Sequence, residues 1–233
     1  MDIRVKALFI IAAVAYIMSS CKKNDDKPQV TNTTNLNVVN ASLNIINYYI
    51  NGTRINNTTS YYPGGTLGYV PVIAGTQNYQ VKIAGNTNPL FTKSLTLDSG
   101  KYYSLYVAGQ TPDDAFMTND VLKADTLGNA LVRFVNASPD SGPLVVAFEG
   151  GSLPNVSDTV KFNNVTYKTT TDYIKVKGGF VHNVSVYQAS SPKDFKRDTT
   201  VTLNAGQIYT LFSYGSVKPT VNKGLNTHLI INQ

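Results

Sequence analysis

At 233 residues, 42% apolar and 15% charged, the chain has the length for one large or two ordinary domains and enough apolar residues for a core, which excludes a wholly disordered protein. Fifteen Tyr, nine Phe, no Trp and a single glutamate, Glu149, beside abundant Val, Thr and Asn, favour strands over helices. The formal charge of +6 is not gathered into a basic stripe, so no nucleic acid is expected as a partner.

In chain order, MDIRVK is followed by the apolar run ALFIIAAVAYIM and then by Ser19, Ser20 and Cys21. Twelve helical residues span about 18 Å, short of a hydrocarbon layer of about 30 Å. Residues 1–20 are therefore expected to be a secretory signal rather than a membrane span. MSSC at 18–21 resembles a bacterial lipobox, with Met18 where Leu is usual. That resemblance implies cleavage before Cys21 and a diacylglyceryl group on its thiol. Cys21 is the only cysteine, and a lone free thiol in an oxidising compartment would invite intermolecular pairing. Two or three acyl chains would hold the mature chain on its membrane. KKNDDKPQVTNT then reads as a flexible tether, giving a lipidated linker over 21–33. Lys22, Lys23, Asp25 and Asp26 resemble the lysine-plus-acidic signals that carry lipoproteins to the outer face of some outer membranes. The expectation is an outer-membrane lipoprotein exposed at the cell surface, a merely solvated tether being the alternative.

The remaining chain repeats itself. LNVVNAS at 36–42 returns as VRFVNAS at 132–138, YVPVIAG at 69–75 as YIKVKGG at 173–179, and LTLDSGKYYSLYVAG at 95–109 as VTLNAGQIYTLFSYG at 201–215. The order is kept, which predicts two tandem domains, 34–127 and 128–233. The first reads as strands at NIINYYING, YVPV, YQVKIAG, SLTL and YYSLYVAG, with a weaker one near Val121. The second reads as LVRFVNA, LVVAFEGG, YIKVKGG, VHNVSVY, TTVTL, IYTLFSY and THLIIN. About seven short strands in each predict an all-β fold of two immunoglobulin-like β-sandwiches. Gly100 with Tyr103, and Gly206 with Tyr209, fit either a tyrosine corner or plain buried strand tyrosines.

LVRFVNASPDSGPLVVAFEGG, Tyr173 to Gly179, and VTLNAGQIYTL resemble the bacterial domain of unknown function 4397 family. The resemblance covers nearly all of 129–233 and, more loosely, 34–127, where NASLNI replaces the NASPD turn. It implies an exported protein built of repeated β-rich units. The family has no established activity, so no site residues carry over.

Chemistry is sparse. His182 and His228 stand alone on expected strands, and no metal-ligand spacing, nucleophile motif or opposed carboxylate pair occurs. Asp113, Asp114 and Asp120 fit a polar loop better than a calcium site. No enzyme, cofactor or metal is expected. Asp125-Thr126, Asp158-Thr159 and Asp198-Thr199 each resemble an acceptor of Gram-negative O-glycosylation, marking Thr126, Thr159 and Thr199. Lys168, Lys175 and Lys177 could present a basic face to an acidic polymer. Tyr48–Tyr49 and Tyr61–Tyr62 could stack on sugars, although one of each pair would face a core. The expected function is a non-catalytic, membrane-anchored surface module binding a glycan or protein. The alternatives are an envelope spacer without a ligand and, less in keeping with the residues, an accessory hydrolase.

Overall fold

Period-two alternation becomes strands throughout the computed structural model, which describes residues 32–56, 59–122, 127–150, 159–192, 196–218 and 224–232. The expected signal peptide, Cys21 and most of the tether lie outside the described residues. Among the described residues there are sixteen strands and one short 3-10 turn at Pro112–Asp114, and no helix long and apolar enough to cross a membrane.

The first eight strands are β1 Thr33–Asn40, β2 Ile46–Ile50, β3 Thr53–Arg54, β4 Val70–Ile73, β5 Gly75–Ile83, β6 Phe91–Leu97, β7 Tyr102–Val107 and β8 Ala115–Asn119. They form two sheets, ordered β4-β1-β7-β8 and β3-β2-β5-β6. The next eight are β9 Asn129–Asn136, β10 Leu144–Gly150, β11 Val160–Val165, β12 Ile174–Lys177, β13 Phe180–Gln188, β14 Lys196–Leu203, β15 Ile208–Tyr214 and β16 Asn226–Ile231. Their sheets, β12-β9-β15-β16 and β11-β10-β13-β14, repeat the same order. β1 runs parallel to β7, and β9 parallel to β15; the other pairings are antiparallel. Each sandwich thus has eight strands where about seven were expected. The additional strand in the second is β11, whose VKFNNV does not alternate and whose pairing with β10 shifts register between Leu144 and Val146. The last strand of the first sandwich ends at Asn119, and Val121 lies beyond it, exposed.

Each sandwich closes on its own core. Leu36, Val38, Tyr48, Val81 and Leu105 lie at the centre of the first, and Val132, Phe134, Val146, Val184 and Leu211 at that of the second. A third cluster joins Val39, Tyr106 and Ala108 to Val135, Phe212 and Ile230. These are the opposite faces of β1, β7, β9, β15 and β16, so the β1 and β9 sheets pack on each other and four sheets stack in series. Tyr106 meets Phe212 edge-on, with ring centroids 5.9 Å apart. Gly64 lies so close to the Tyr214 ring that a Cβ would come within 2.8 Å of it. Burial on both faces makes β1, β7, β9 and β15 nearly continuous runs of buried residues, as in any sheet covered on two sides.

The repeated Asn-Ala-Ser phrase is a structural clamp. Asn136 Nδ2 donates to Val165 O at 2.9 Å and Gly142 O at 3.2 Å, while its Oδ1 accepts from Ser138 N and Ser213 Oγ, both at 3.0 Å. Asn40 does the equivalent work with Asn44 O, Tyr61 O and Ser42. Both asparagines are fully buried, and each ties the turn that follows it to a neighbouring strand end through several backbone groups. Tyr209 makes a tyrosine corner, its hydroxyl accepting Asn204 N–H at 2.9 Å. Tyr103 repeats it loosely with Asp98 N at 3.4 Å.

Candidate functional site

β12 is an edge strand paired only with β9. Alternation sends Val176 into the core and leaves Lys175 and Lys177 exposed; lysines of this kind guard a free edge against further pairing. At Gly178–Gly179 the chain crosses to the facing sheet. The crossing is tight enough that a Cβ on Gly178 would come within 2.5 Å of Ala205. His182 follows on β13, in the inward register of Val184 and Val186, opposite Gly150 of β10. It is 1% exposed, with Nε2 2.7 Å from Lys177 O. Its Nδ1 has no hydrogen-bond partner among the described residues.

Between the β12 edge and the facing sheet opens a cleft of about 280 Å³, lined by Asn129, Gly150, Thr159, Lys175, Lys177 and His182. The first sandwich has a cleft in the equivalent place, of about 500 Å³, lined by Thr33, Ile50, Ile55, Pro71, Ile73 and Gln77 among others. Strand equivalence puts Thr33 at the position of Asn129, Pro71 and Ile73 at those of Lys175 and Lys177, and Gln77 at that of His182. The architecture is the same and the chemistry has diverged: no Lys or Arg lines the first cleft, and apolar side chains dominate it.

A third hollow, of about 520 Å³, lies on the outer face of the β10-β13-β14 sheet, with Glu149, Asn183, Ser185, Asp198, Thr199 and Thr200. Ser185 Oγ donates to Asp198 at 2.6 Å. Glu149 and Asp198 stand two strands apart on this open face.

The residues singled out in the sequence divide accordingly. Lys175 and Lys177 both border the second cleft, their side chains on the face of β12 turned away from Val176 and the core. Lys168 does not join them: its backbone N–H bonds Asn136 O at the far end of β9, about 23 Å away at roughly 3.3 Å per residue, and its ammonium lies 5.1 Å from the Tyr167 ring. Thr159 is exposed beside the cleft, Thr199 is half-buried within β14, and Thr126 lies outside the described residues. Tyr48 is fully buried against Tyr79, and burial raises its ionisation well above the ordinary range. Tyr49 carries Lys82 over its ring at 4.5 Å, Tyr61 is half-buried, and Tyr62 is exposed. His228 is held below the usual imidazole value by burial, close to Phe212.

The three aspartates do not converge. Asp114 caps the Pro112–Asp114 turn through Thr111, Asp113 lies in that turn, and Asp120 is buried against Arg133. No group of three His, Cys, Asp or Glu among the described residues could hold a metal. Sequence reasoning passed over the grouping of His182 with Gly150 and Asn129. The available signal was the inward register of His182 in VHNVSVY, since an imidazole in line with two core valines must find a partner or a cavity.

No curated protein matches the chain. Among solved structures it is similar to CBMbc, of family CBM26, from Eubacterium rectale Amy13K in complex with maltoheptaose. The identity is 9%, with 85% of this chain and 96% of that chain covered and a TM-score of 0.22, and so loose a likeness carries no inference about ligand or topology. A family profile described as Domain of unknown function (DUF4397) matches residues 24–147. The match thus spans the first sandwich and runs into β10, where the resemblance read from the sequence was strongest over 129–233. It takes in LNVVNAS and VRFVNAS alike, the two phrases built around the clamping asparagines, and with more than half its length matched the chain belongs to the DUF4397 family.

Proposed function

We propose that this is a non-catalytic, lipid-anchored envelope protein, displayed at the cell surface, that binds a glycan or protein partner at the sandwich edges. The observation carrying this reading is the pair of equivalent clefts, formed twice by the same strands and lined once mainly by apolar residues and once by a mixed set that includes Lys175, Lys177 and His182. A fold that keeps a cavity in place while changing its lining is suited to recognition. The anchor follows from Cys21: the ten residues between it and Asn32 reach at most about 40 Å when extended, holding the sandwiches close to their membrane. The carboxylates support the non-catalytic part, because Asp114, Asp120 and Asp140 are engaged in turns and in an internal ion pair.

Protease shaving of intact and lysed cells tests display, with peptides of residues 33–233 followed by mass spectrometry. Release from intact cells is expected, and protection until lysis would overturn surface display. Retention of the purified full chain on cell-envelope material and on neighbouring cells tests binding. Failure to be retained on either would favour the second reading, an envelope spacer, which the buried junction between the two sandwiches makes mechanically apt.

A further inference from the structure

Resting on the reading of Cys21 as a lipid anchor, we propose that the end of the molecule at which the chain enters β1 is a membrane-docking surface, seated on the bilayer that holds the anchor. Seven large apolar side chains are exposed among the described residues, and six of them stand at this end. Ile73 is the last residue of β4 and pairs with Thr33, the first of β1. Val121 lies two residues beyond β8 and Leu127 two before β9, Phe180 and Val181 open β13, and Ile231 closes β16. The seventh, Tyr62, lies at the other end, beside the turn whose Gly64 N–H bonds Asn40 O where β1 stops.

Both sandwiches turn this end to the same side. Far from it, Tyr214 at the close of β15 packs on Gly64, and Tyr167 on Phe116. Nearer to it, Asn232 beyond β16 bonds Tyr69, and Asp120 beyond β8 pairs with Arg133. Phe180 pairs with Leu203 and Ile231 with Tyr209, both core residues, and opposed residues of neighbouring strands share a face. Phe180 and Ile231 therefore project from the two sheets at the open end of the second core, 41% and 60% exposed.

The tether decides the occupant. With Cys21 in the membrane, the ten residues before Asn32 reach at most about 40 Å. The bilayer is thus the surface that this end meets at high effective concentration. The lining agrees. The apolar side chains are interspersed with exposed polar turns, Asp98 to Lys101 and Asn204 to Gly206, rather than merged into the apolar core patch that a stable protein interface needs. A bilayer interface takes such a mixture, apolar side chains passing between headgroups that receive the polar ones. Lys101 and Lys177, exposed at this end, can lay their stems along apolar neighbours with the ammonium at lipid phosphate. Asp98 and Glu149 are exposed there too, so apolar contact rather than net charge sets the attraction. Tyr62 and the turns beside it then point away from the membrane.

The test uses the full lipidated chain in vesicles of phosphatidylethanolamine and phosphatidylglycerol. Cys21, the only native cysteine, is acylated on this reading, so a fluorophore can be placed on the single substitutions Leu127→Cys, Val181→Cys and Ile231→Cys or, at the other end, Tyr62→Cys. Lipid brominated near the headgroup end of its acyl chains quenches on contact. Quenching is expected from the three docking-end positions and not from the Tyr62 position. A further fluorophore at Asn204→Cys is compared with and without V121S/L127S/V181S/I231S. All four serine positions are exposed, so folding is spared, and quenching at the Asn204 position should be lost. Chains that co-float with the vesicles but are quenched equally at both ends, or at neither, would overturn the docking surface and leave the anchor standing. Unchanged quenching at the Asn204 position in the serine variant would overturn it as well, since the tether alone would then hold the end near lipid. Shielding that grows with protein density on the vesicle, without bromine quenching, would put a second copy of the chain in place of lipid. Chains that do not co-float would remove the anchor reading, and this inference with it.

Discussion

Arg133 lies where the first sandwich has Asn37, and it shows what a single residue does at the junction. Its guanidinium is buried between the sheets, paired with Asp120, bonded through Nε to Thr210 Oγ1 at 2.9 Å, and set over the Tyr173 ring at 4.9 Å. Asp120 also accepts from Ser104 Oγ at 2.6 Å, Thr118 Oγ1 at 2.8 Å and the Tyr69 hydroxyl at 2.6 Å. Tyr69 in turn accepts from Asn232 Nδ2 at 2.8 Å. Burial works most strongly against the Arg133 charge, but Asp120, Tyr106 and Tyr173 together outweigh it and the pKa is raised. Removing one partner strands the other, so Asp120→Ala should cost about 3–5 kcal/mol in denaturant unfolding, and the pair Asp120→Leu with Arg133→Met distinctly less. A double variant as unstable as the single one would refute this. Asp140 gives a pH signature instead. Burial pushes its carboxyl up, but hydrogen bonds from Ser216, Val217 and Lys218 outweigh that and hold it below the ordinary value. A depressed carboxylate contributes stability that is present above its unfolded value of about 4 and lost as pH falls through the lower folded value. Asp140→Asn should therefore be less stable than the parent at neutral pH, with the difference closing below about pH 4. A constant gap across an acid titration would exclude it.

At the scale of elements, the two tyrosine corners differ in quality and should differ in energy. Tyr209→Phe removes a 2.9 Å bond to Asn204 N–H at the entry of β15, leaving a turn amide short of its acceptor, for about 1–2 kcal/mol. Tyr103→Phe removes only contacts of 3.4 Å at the entry of β7 and should cost less than half as much. Equal losses in matched denaturation curves would show the corners to be equivalent. These corners were legible in TLDSGKYY and TLNAGQIY because a turn glycine, a following tyrosine and a strand lie within one short window. Strands whose faces alternate were legible for the same reason. β11 was not, since its partner β10 imposes pairing on residues that lack a pattern of their own. The clefts were not legible either: Lys175 and Lys177 read correctly as outward lysines of an edge strand, but β13 and the ends of β10 and β11 complete the cavity from elsewhere in the chain. Lys168 looked close to them in sequence, yet the reversal between β11 and β12 leaves it at the other end of β9.

For the whole molecule, the decisive feature is the face on which the two sandwiches meet. In LNVVNAS and VRFVNAS, the inward set Leu36, Val38, Val132 and Phe134 was readable as core. Asn37, Val39, Arg133 and Val135 fall on the other side and look like an ordinary solvated face with some apolar residues. The structure buries all four, because the second sandwich covers what the first leaves open. The consequence is cooperative: residues 32–233 form one compact unit, and neither sandwich can lose the other without exposing Tyr106 or Phe212 and breaking the Asp120–Arg133 pair. Heating the full chain should give a single transition, with calorimetric and van't Hoff enthalpies in agreement. Residues 128–233 alone would present Val135, Phe212 and Ile230 to water beside an unpaired Arg133. An exposed apolar patch of that kind drives self-association, so the fragment should sediment as dimers or larger species, or bind a hydrophobic dye that the full chain does not. Changing Phe212 and Ile230 to Ser in the fragment should restore a monomer, because both point at the missing partner and neither belongs to the core of its own sandwich. Two separate transitions in the full chain, one of them matching a monomeric fragment, would mean that the sandwiches are independent beads and that the buried network contributes little to holding them together.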